Sequence, residues 1–230
     1  DNRSACFRPG AAPDMNGTTP AAAGLLRALA FFHATSYAPT VVEWLAAWDA
    51  GASGSSSDRN EVAAAARALQ QERMVTVTRG RVTFPETTSF VAEHERREVF
   101  FARKLRRARL VSRYLARLSG VRFVALCNTT ALAHADDRSD LDFFIITKTG
   151  AVWQTRLFGT APFIALKLRP GDKREERDAV CLSFFVDDSA LDLSALAITP
   201  DDPYLRHWFL SLFPLYDDGI GERLWEANTT

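Results

Sequence analysis

Leu25, Leu26, Leu29 and Phe32 recur at the three- and four-residue spacing that gathers side chains on one side of a helix, so AAAGLLRALAFFHA reads as amphipathic and helical. TVVEWLAAWDAG repeats the pattern behind Thr40, a residue whose hydroxyl suits an N-cap. After GASGSSSDRN, EVAAAARALQQERM is a third helix of strong formers, opened by Asp58 or Asn60. The period then falls from near four to two. VTVTRGRVTF alternates apolar and polar residues on both sides of Arg79-Gly80, which predicts a hairpin.

From Glu93 to Leu118 the spacing predicts one long helix, with Phe101, Leu105, Ala108, Leu115 and Leu118 in a stripe and arginines and Lys104 around it. Beyond it strand and helix alternate. VRFVALC is a buried strand, a short helix follows Asn128, LDFFIIT is a second strand, and Lys148-Thr149-Gly150 turns the chain. AVWQTRLFGTAPFIALKL is a helix with a break near Gly159 or Pro162, RPGDKREERD a charged loop, and AVCLSFFV a third strand. Strict alternation there would put Cys181, Ser183 and Phe185 on one face and Val180, Leu182 and Phe184 on the other. DPYLRHWFLSLF is helical and PLYDDGIGE turn-like; Trp153, Trp208, Phe209, Leu210, Phe213 and Leu215 are assigned to core packing.

These elements divide the chain into a flexible arm over residues 1–20, a winged-helix-like domain over 21–90, a basic linking helix over 91–120 and an α/β (α+β) domain with a small mixed sheet over 121–230. The chain has 230 residues, 47% of them hydrophobic, which is enough for a core in each domain. Its longest apolar runs are too short to cross a bilayer, so no membrane association is expected. Cys6, Cys127 and Cys181 form no C-x-x-C pair, which points to a reducing compartment: the cytoplasm, or an organelle after processing. The scattered His33, His94, His134 and His207 read as surface or packing residues.

Net charge is zero but segregated. Residues 91–120 carry nine basic and three acidic side chains, and 121–230 carry eleven and seventeen. The basic helix over 95–118 is therefore a place where nucleic acid or nucleotide phosphates would bind, or simply a solvated face. The third helix offers Arg67, Gln70, Gln71 and Arg73 on an alanine-rich surface, sparse equipment for reading DNA.

The chemistry concentrates in CNTTALAHADDRSDLDFFIIT, where Asp136, Asp137, Asp140 and Asp142 stand just before a run of large apolar residues. On an extended strand Asp140 and Asp142 share a face, while Leu141 and Phe143 enter the core. Two carboxylates that close repel unless a cation neutralises them, and hard divalent ions such as Mg²⁺ (or Mn²⁺) suit the pair. Upstream, Asn128 tolerates left-handed backbone angles, and Thr129 and Thr130 offer hydroxyls where a strand turns into a helix, a setting that favours phosphate. A polar loop with chance acids is the bland alternative.

Strand, small polar turn, helix and then Ser-Asp-Leu-Asp on the next strand resembles the nucleotidyltransferase superfamily that includes DNA polymerase beta. A narrower likeness, over about residues 22–228, is to a prokaryotic group with a winged helix ahead of such a domain; CLSFFV, DPYLRHW and PLYD carry it. The resemblance implies that Asn128 and Thr129 stand at the family's Gly-Ser turn, that Ser139 precedes the acid pair, and that Asp140 and Asp142 hold Mg²⁺ or Mn²⁺ against a nucleoside triphosphate such as ATP. Thr129, Thr130 and the local backbone would fix its phosphates. The activity implied is transfer of a nucleoside monophosphate to a hydroxyl of a small molecule, protein or RNA. Two departures stand out: Asn128 replaces glycine, and AVCLSFFV contains no third carboxylate, leaving Asp178 just before it as the candidate for that role. The departures make a degenerate nucleotide sensor, or a subunit of a larger assembly, the first rival. A winged-helix DNA-binding regulator is the second.

Overall fold

The structure, a computed structural model, describes residues 18–48, 59–171, 177–198 and 202–229. Most of the arm, the Asp58 cap and the middle of the charged loop at 172–176 lie outside the described residues. Three helices come first: α1 (Pro20–Ala34), α2 (Val41–Ala46) and α3 (Arg59–Gln71). Pro20 opens α1 behind Thr19, whose hydroxyl accepts from Ala22 N at 3.2 Å. Thr40 and Glu43 close a reciprocal capping box on α2, satisfying amides that helix starts leave orphaned. Between β1 (Thr76–Thr78) and β2 (Arg81–Thr83), Arg79 and Gly80 both take positive φ, 51° and 75°. Such a turn matches the twist of the hairpin strands. Leu25, Leu29, Trp44, Leu69 and Val82 form the core here, and Trp44 Nε1 donates to Leu25 O at 2.8 Å.

The expected single linking helix is two: α4 (Ser89–Glu98) and α5 (Phe101–Leu115). Val99 and Phe100 keep helical dihedrals at the junction, so the two helices separate without a proline or glycine between them. The two pieces serve different cores. Val91 and His94 of α4 are buried toward the N-terminal half, whereas Lys104, Ala108, Val111, Ser112 and Leu115 of α5 are buried against the sheet side.

That sheet has β3 (Val121–Leu126), β4 (Leu141–Thr147), β5 (Val180–Asp187) and β6 (Phe213–Asp217) in the order β5-β4-β3-β6. β3 is antiparallel to β4 and β6, and β4 is parallel to β5, so the sheet is mixed. Leu141, Phe143 and Ile145 pack toward α5 and α7 (Val152–Ala165). Phe144 and Ile146 pack on the opposite side with Phe209 of α8 (Pro203–Leu210) and Leu224 of α9 (Gly221–Thr229). The face that carries the aspartates is therefore covered too, from Phe144 onward.

Three local expectations change. α7 runs through Gly159 and Pro162 unbroken. Proline removes the amide that would bond Phe158 O, and Tyr114 Oη donates to that carbonyl instead, at 2.6 Å. PLYDD, read as a turn, begins as the edge strand β6, where Pro214 is tolerated; the turn itself follows, with Asp217 Oδ1 accepting from Gly219 N and Gly221 N. In β5 the alternation breaks. A register shift against Asp142 and Phe144 puts Phe185 with Val180 and Leu182, and Phe184 with Phe144. One extra residue at a bulge exchanges the faces of everything after it. Among the described residues no helix is long and apolar enough to cross a membrane.

Candidate metal centre

β3 stops pairing at Cys127, whose N donates to Asp142 O at 3.1 Å, and the register of β5 sets Cys181 beside the same residue. Asp142 therefore sits in a row across three strands, between two cysteines. Asp140 lies one residue ahead of β4, its backbone carbonyl held by Thr130 Oγ1 at 3.2 Å. One ligand atom from each of Asp140, Asp142 and Cys181 lies within 4.8 Å of the other two. Burial, and then the neighbouring Asp142 charge, raise the Asp140 carboxyl above the usual range. The same two causes push the Cys181 thiol up to about 11. The Lys104 charge pulls the Asp140 carboxyl the other way without cancelling the rise, the condition in which paired carboxylates take a cation.

Asn128 starts the four-residue helix α6 (Asn128–Ala131) with φ 57°. Its Nδ2 donates to Asp142 Oδ2 at 3.0 Å and its Oδ1 accepts from Trp208 Nε1 at 3.0 Å. A donor on one side and an acceptor on the other fix the amide's orientation. Ser183 Oγ reaches Asp142 Oδ1 at 3.5 Å, which the bulge in β5 permits. Thr129 is half-buried, its carbonyl accepting from His134 N at 2.8 Å. Ser139 is used locally: its hydroxyl and amide both bond Asp136 Oδ1, and its carbonyl accepts from Lys104 Nζ.

Asp178 is buried, and its carboxylate is engaged elsewhere: Lys104 Nζ approaches Oδ1 at 2.7 Å and Arg103 Nε approaches Oδ2 at 3.0 Å. Burial works to raise this carboxyl, but the Lys104 and Arg103 hydrogen bonds outweigh it and hold it below the usual range. Asp178 is not part of the Asp140–Asp142–Cys181 cluster. Cys181 stands where strand register would set a third ligand, and parallel pairing with β4 is the only signal that reveals it.

A cleft of ≈ 440 Å³ opens beside the cluster, walled by Asn128, Ser183, Phe184, Tyr204 and Trp208. Trp208, assigned to the core from sequence, packs on Phe144 and Phe184 and presents the rest of its ring to this cleft. The basic helix is partly committed: Arg96 and Arg97 pair with Glu93, and Arg103 with Asp137 and Asp178. Arg106, Arg109, Arg113 and Arg117 remain exposed, as do Arg67, Gln70, Gln71 and Arg73 near the end of α3. No family model, curated protein or solved structure matches the chain.

Proposed function

We propose that residues 121–230 are a nucleotidyltransferase domain of the DNA polymerase beta-like kind, set behind a winged helix formed by residues 21–90, and that the reaction moves a nucleoside monophosphate from a nucleoside triphosphate to a hydroxyl. The observation that carries the reading is the convergence of Asp140 and Asp142, with one ligand atom of each within 4.8 Å of the other at the start of β4. Asp140 and Asp142 would hold Mg²⁺ or Mn²⁺; the Cys181 thiol is a poor ligand for Mg²⁺. When bound, that ion supplies neutralising charge to the triphosphate and to the departing pyrophosphate.

The chain's own groups do the positioning. Asn128 ties one Asp142 oxygen to the Trp208 ring, and Thr130 fixes the backbone from which Asp140 projects. The acceptor oxygen attacks the α-phosphorus, the bond to the bridging oxygen breaks, and pyrophosphate leaves with the electron pair. The acceptor's proton passes to solvent, because the carboxylate of Asp178 is held by Lys104 and Arg103.

That same commitment of Asp178, with a thiol at Cys181 in the neighbouring position, favours a second reading: nucleotide binding without turnover, in a sensor or an assembly subunit. Titrating each triphosphate with and without Mg²⁺ or Mn²⁺, while assaying pyrophosphate, separates the two. Metal-dependent binding that is lost in Asp140→Asn plus Asp142→Asn supports the site. Pyrophosphate release then marks a transferase, and binding alone marks the sensor. Binding unchanged in the double variant removes the site.

A further inference from the structure

A helix with large apolar residues on both halves belongs inside a core, yet only one half of α7 is covered. Thr155, Gly159 and Phe163 make the buried half, and Gly159 lies so close to α5 that an added Cβ would come within 3.3 Å of Leu115. Trp153, Leu157 and Ile164 recur at helical spacing on the other half, with Phe158 beside them and Leu166 just past the end. Each of these side chains is at least 55% exposed, and Trp153, assigned to the core from sequence, is 78% exposed. Single exposed leucines are ordinary; a contiguous ridge of large apolar side chains marks an interaction surface.

The surroundings of that ridge are basic. No Asp or Glu occurs in 99–135 or in 143–171, the segments that contain α5 and α7. The two helices are neighbours, Tyr114 meeting Phe163 edge-on and donating to the Phe158 carbonyl. Arg106, Arg109, Arg113 and Arg117 recur along the solvent side of α5 with the exposed Leu110 among them, while Lys148 precedes α7, Arg156 lies in it and Lys167 follows it. Among the described residues none of these cations pairs with a carboxylate. Acidic groups that border the two helices are engaged: Asp178 with Lys104 and Arg103, Asp188 with Arg122 and Thr149, and Asp187 with Gly150 N and Ser189.

Possible occupants treat this mixture differently. A second copy related by a two-fold axis would set the arginine row against its own image, and like charges oppose that pairing. A nucleic acid would take the arginines and leave Trp153, Leu157 and Ile164 in water. An anionic lipid surface satisfies both, because headgroups meet the cations and the acyl boundary receives the apolar side chains of a helix lying flat. The exposed ridge of α7 is convex and about 21 Å long, a shape that a deformable planar surface accommodates. Lying in an interface needs no bilayer-spanning length, so the shortness of the apolar runs does not oppose it.

We propose that α7 and the arginine row of α5 dock the protein on an anionic lipid surface, with Trp153, Leu157 and Ile164 inserted where headgroups meet acyl chains. The proposal goes beyond the nucleotidyltransferase reading and does not depend on it. Asp142 projects from the other face of β4, on the side of Phe144 and Ile146, so the docked molecule keeps its acid pair toward water.

The test is flotation of the whole chain with vesicles of phosphatidylcholine alone and of phosphatidylcholine carrying about one-third phosphatidylserine. Binding to the anionic vesicles is expected, at least about ten-fold tighter than to the neutral ones, and weakening as salt rises from about 0.1 M to 0.5 M. Trp153→Ser plus Ile164→Ser, both at exposed positions, should lower it about ten-fold, and Arg109→Gln plus Arg113→Gln should lower it by about as much. Circular dichroism checks that each variant is folded; Leu157→Gln, a single exposed change on the same ridge, carries the test if the double one is not. Equal binding to the two vesicles, binding unmoved by the Trp153 and Ile164 changes, or no flotation would each overturn the assignment. Sedimentation showing a dimer that the Trp153 and Ile164 variant cannot form would overturn it too, and give the ridge to a second copy.

Discussion

Lys104 Nζ sits 2.7 Å from Asp178 Oδ1, with side chains 1% and 3% exposed, and joins α5 to the residue that leads into β5. Removing either partner strands the other charge in a low-dielectric setting. Lys104→Met should therefore lower unfolding free energy by about 3 kcal/mol, near the low end for a broken buried pair because Arg103 still reaches Asp178. Urea denaturation measures it. The Asp178 carboxyl is depressed in the folded state, so this stabilisation is complete above the unfolded carboxylate range and is lost as pH falls through the lower folded value.

Asn128 invites a comparison between two substitutions. Asn128→Gly and Asn128→Ala both delete the bonds to Asp142 and Trp208, but only alanine suffers at φ 57°. Alanine should be the less stable variant by about 1 kcal/mol, the cost of a left-handed residue with a Cβ. Thermal unfolding of the pair isolates that strain.

His94 and His134, buried and stacked almost parallel, give a pH signature. Burial, aided by the Arg97 and His94 charges, lowers His134 to about 4. The unfolded chain, with histidine near 6.5, binds more protons between those values, so stability should fall as pH drops from about 6.5 to 4. The shift corresponds to about 3 kcal/mol as an upper bound. His134→Phe should flatten that part of a plot of urea midpoint against pH.

Burial and then the Asp142 charge raise the Asp140 carboxyl against the pull of Lys104, and like charges at a site cost folding energy. Asp140→Asn should raise the melting temperature in chelator by a few degrees, as expected for about 1 kcal/mol in a chain of this size. Mn²⁺ should stabilise the parent and leave the variant unmoved. A variant that melts lower in chelator would mean that the repulsion is already offset.

Much of the scaffold is local and was therefore readable. The Thr40 cap, the Arg79-Gly80 turn and the apolar runs of β3 and β4 follow from residues close in sequence. What sequence hides is pairing at a distance. Lys104 looked like one of nine cations on a solvated helix, and only the fold brings it to Asp178. The bulge in β5 is one residue that alternation cannot reveal, and it moves Phe184 to the Trp208 side. β6 carries a proline and owes its existence to the open edge of β3. The acid pair lay in plain view because i and i+2 on a strand settle a shared face without further context. Cys181 needed the register with β4 to be recognised as their neighbour.

Burial of β4 on both sides has one more effect. Phe143, Phe144, Ile145 and Ile146 are sealed from solvent, so opening this strand means breaching both layers at once. Amide exchange along it belongs among the slowest in the chain, tracking global unfolding. Asp142 is anchored to that stiff rail and Asp140 stands one residue ahead of it, whereas the cleft beside them is bounded by side chains nearer the surface.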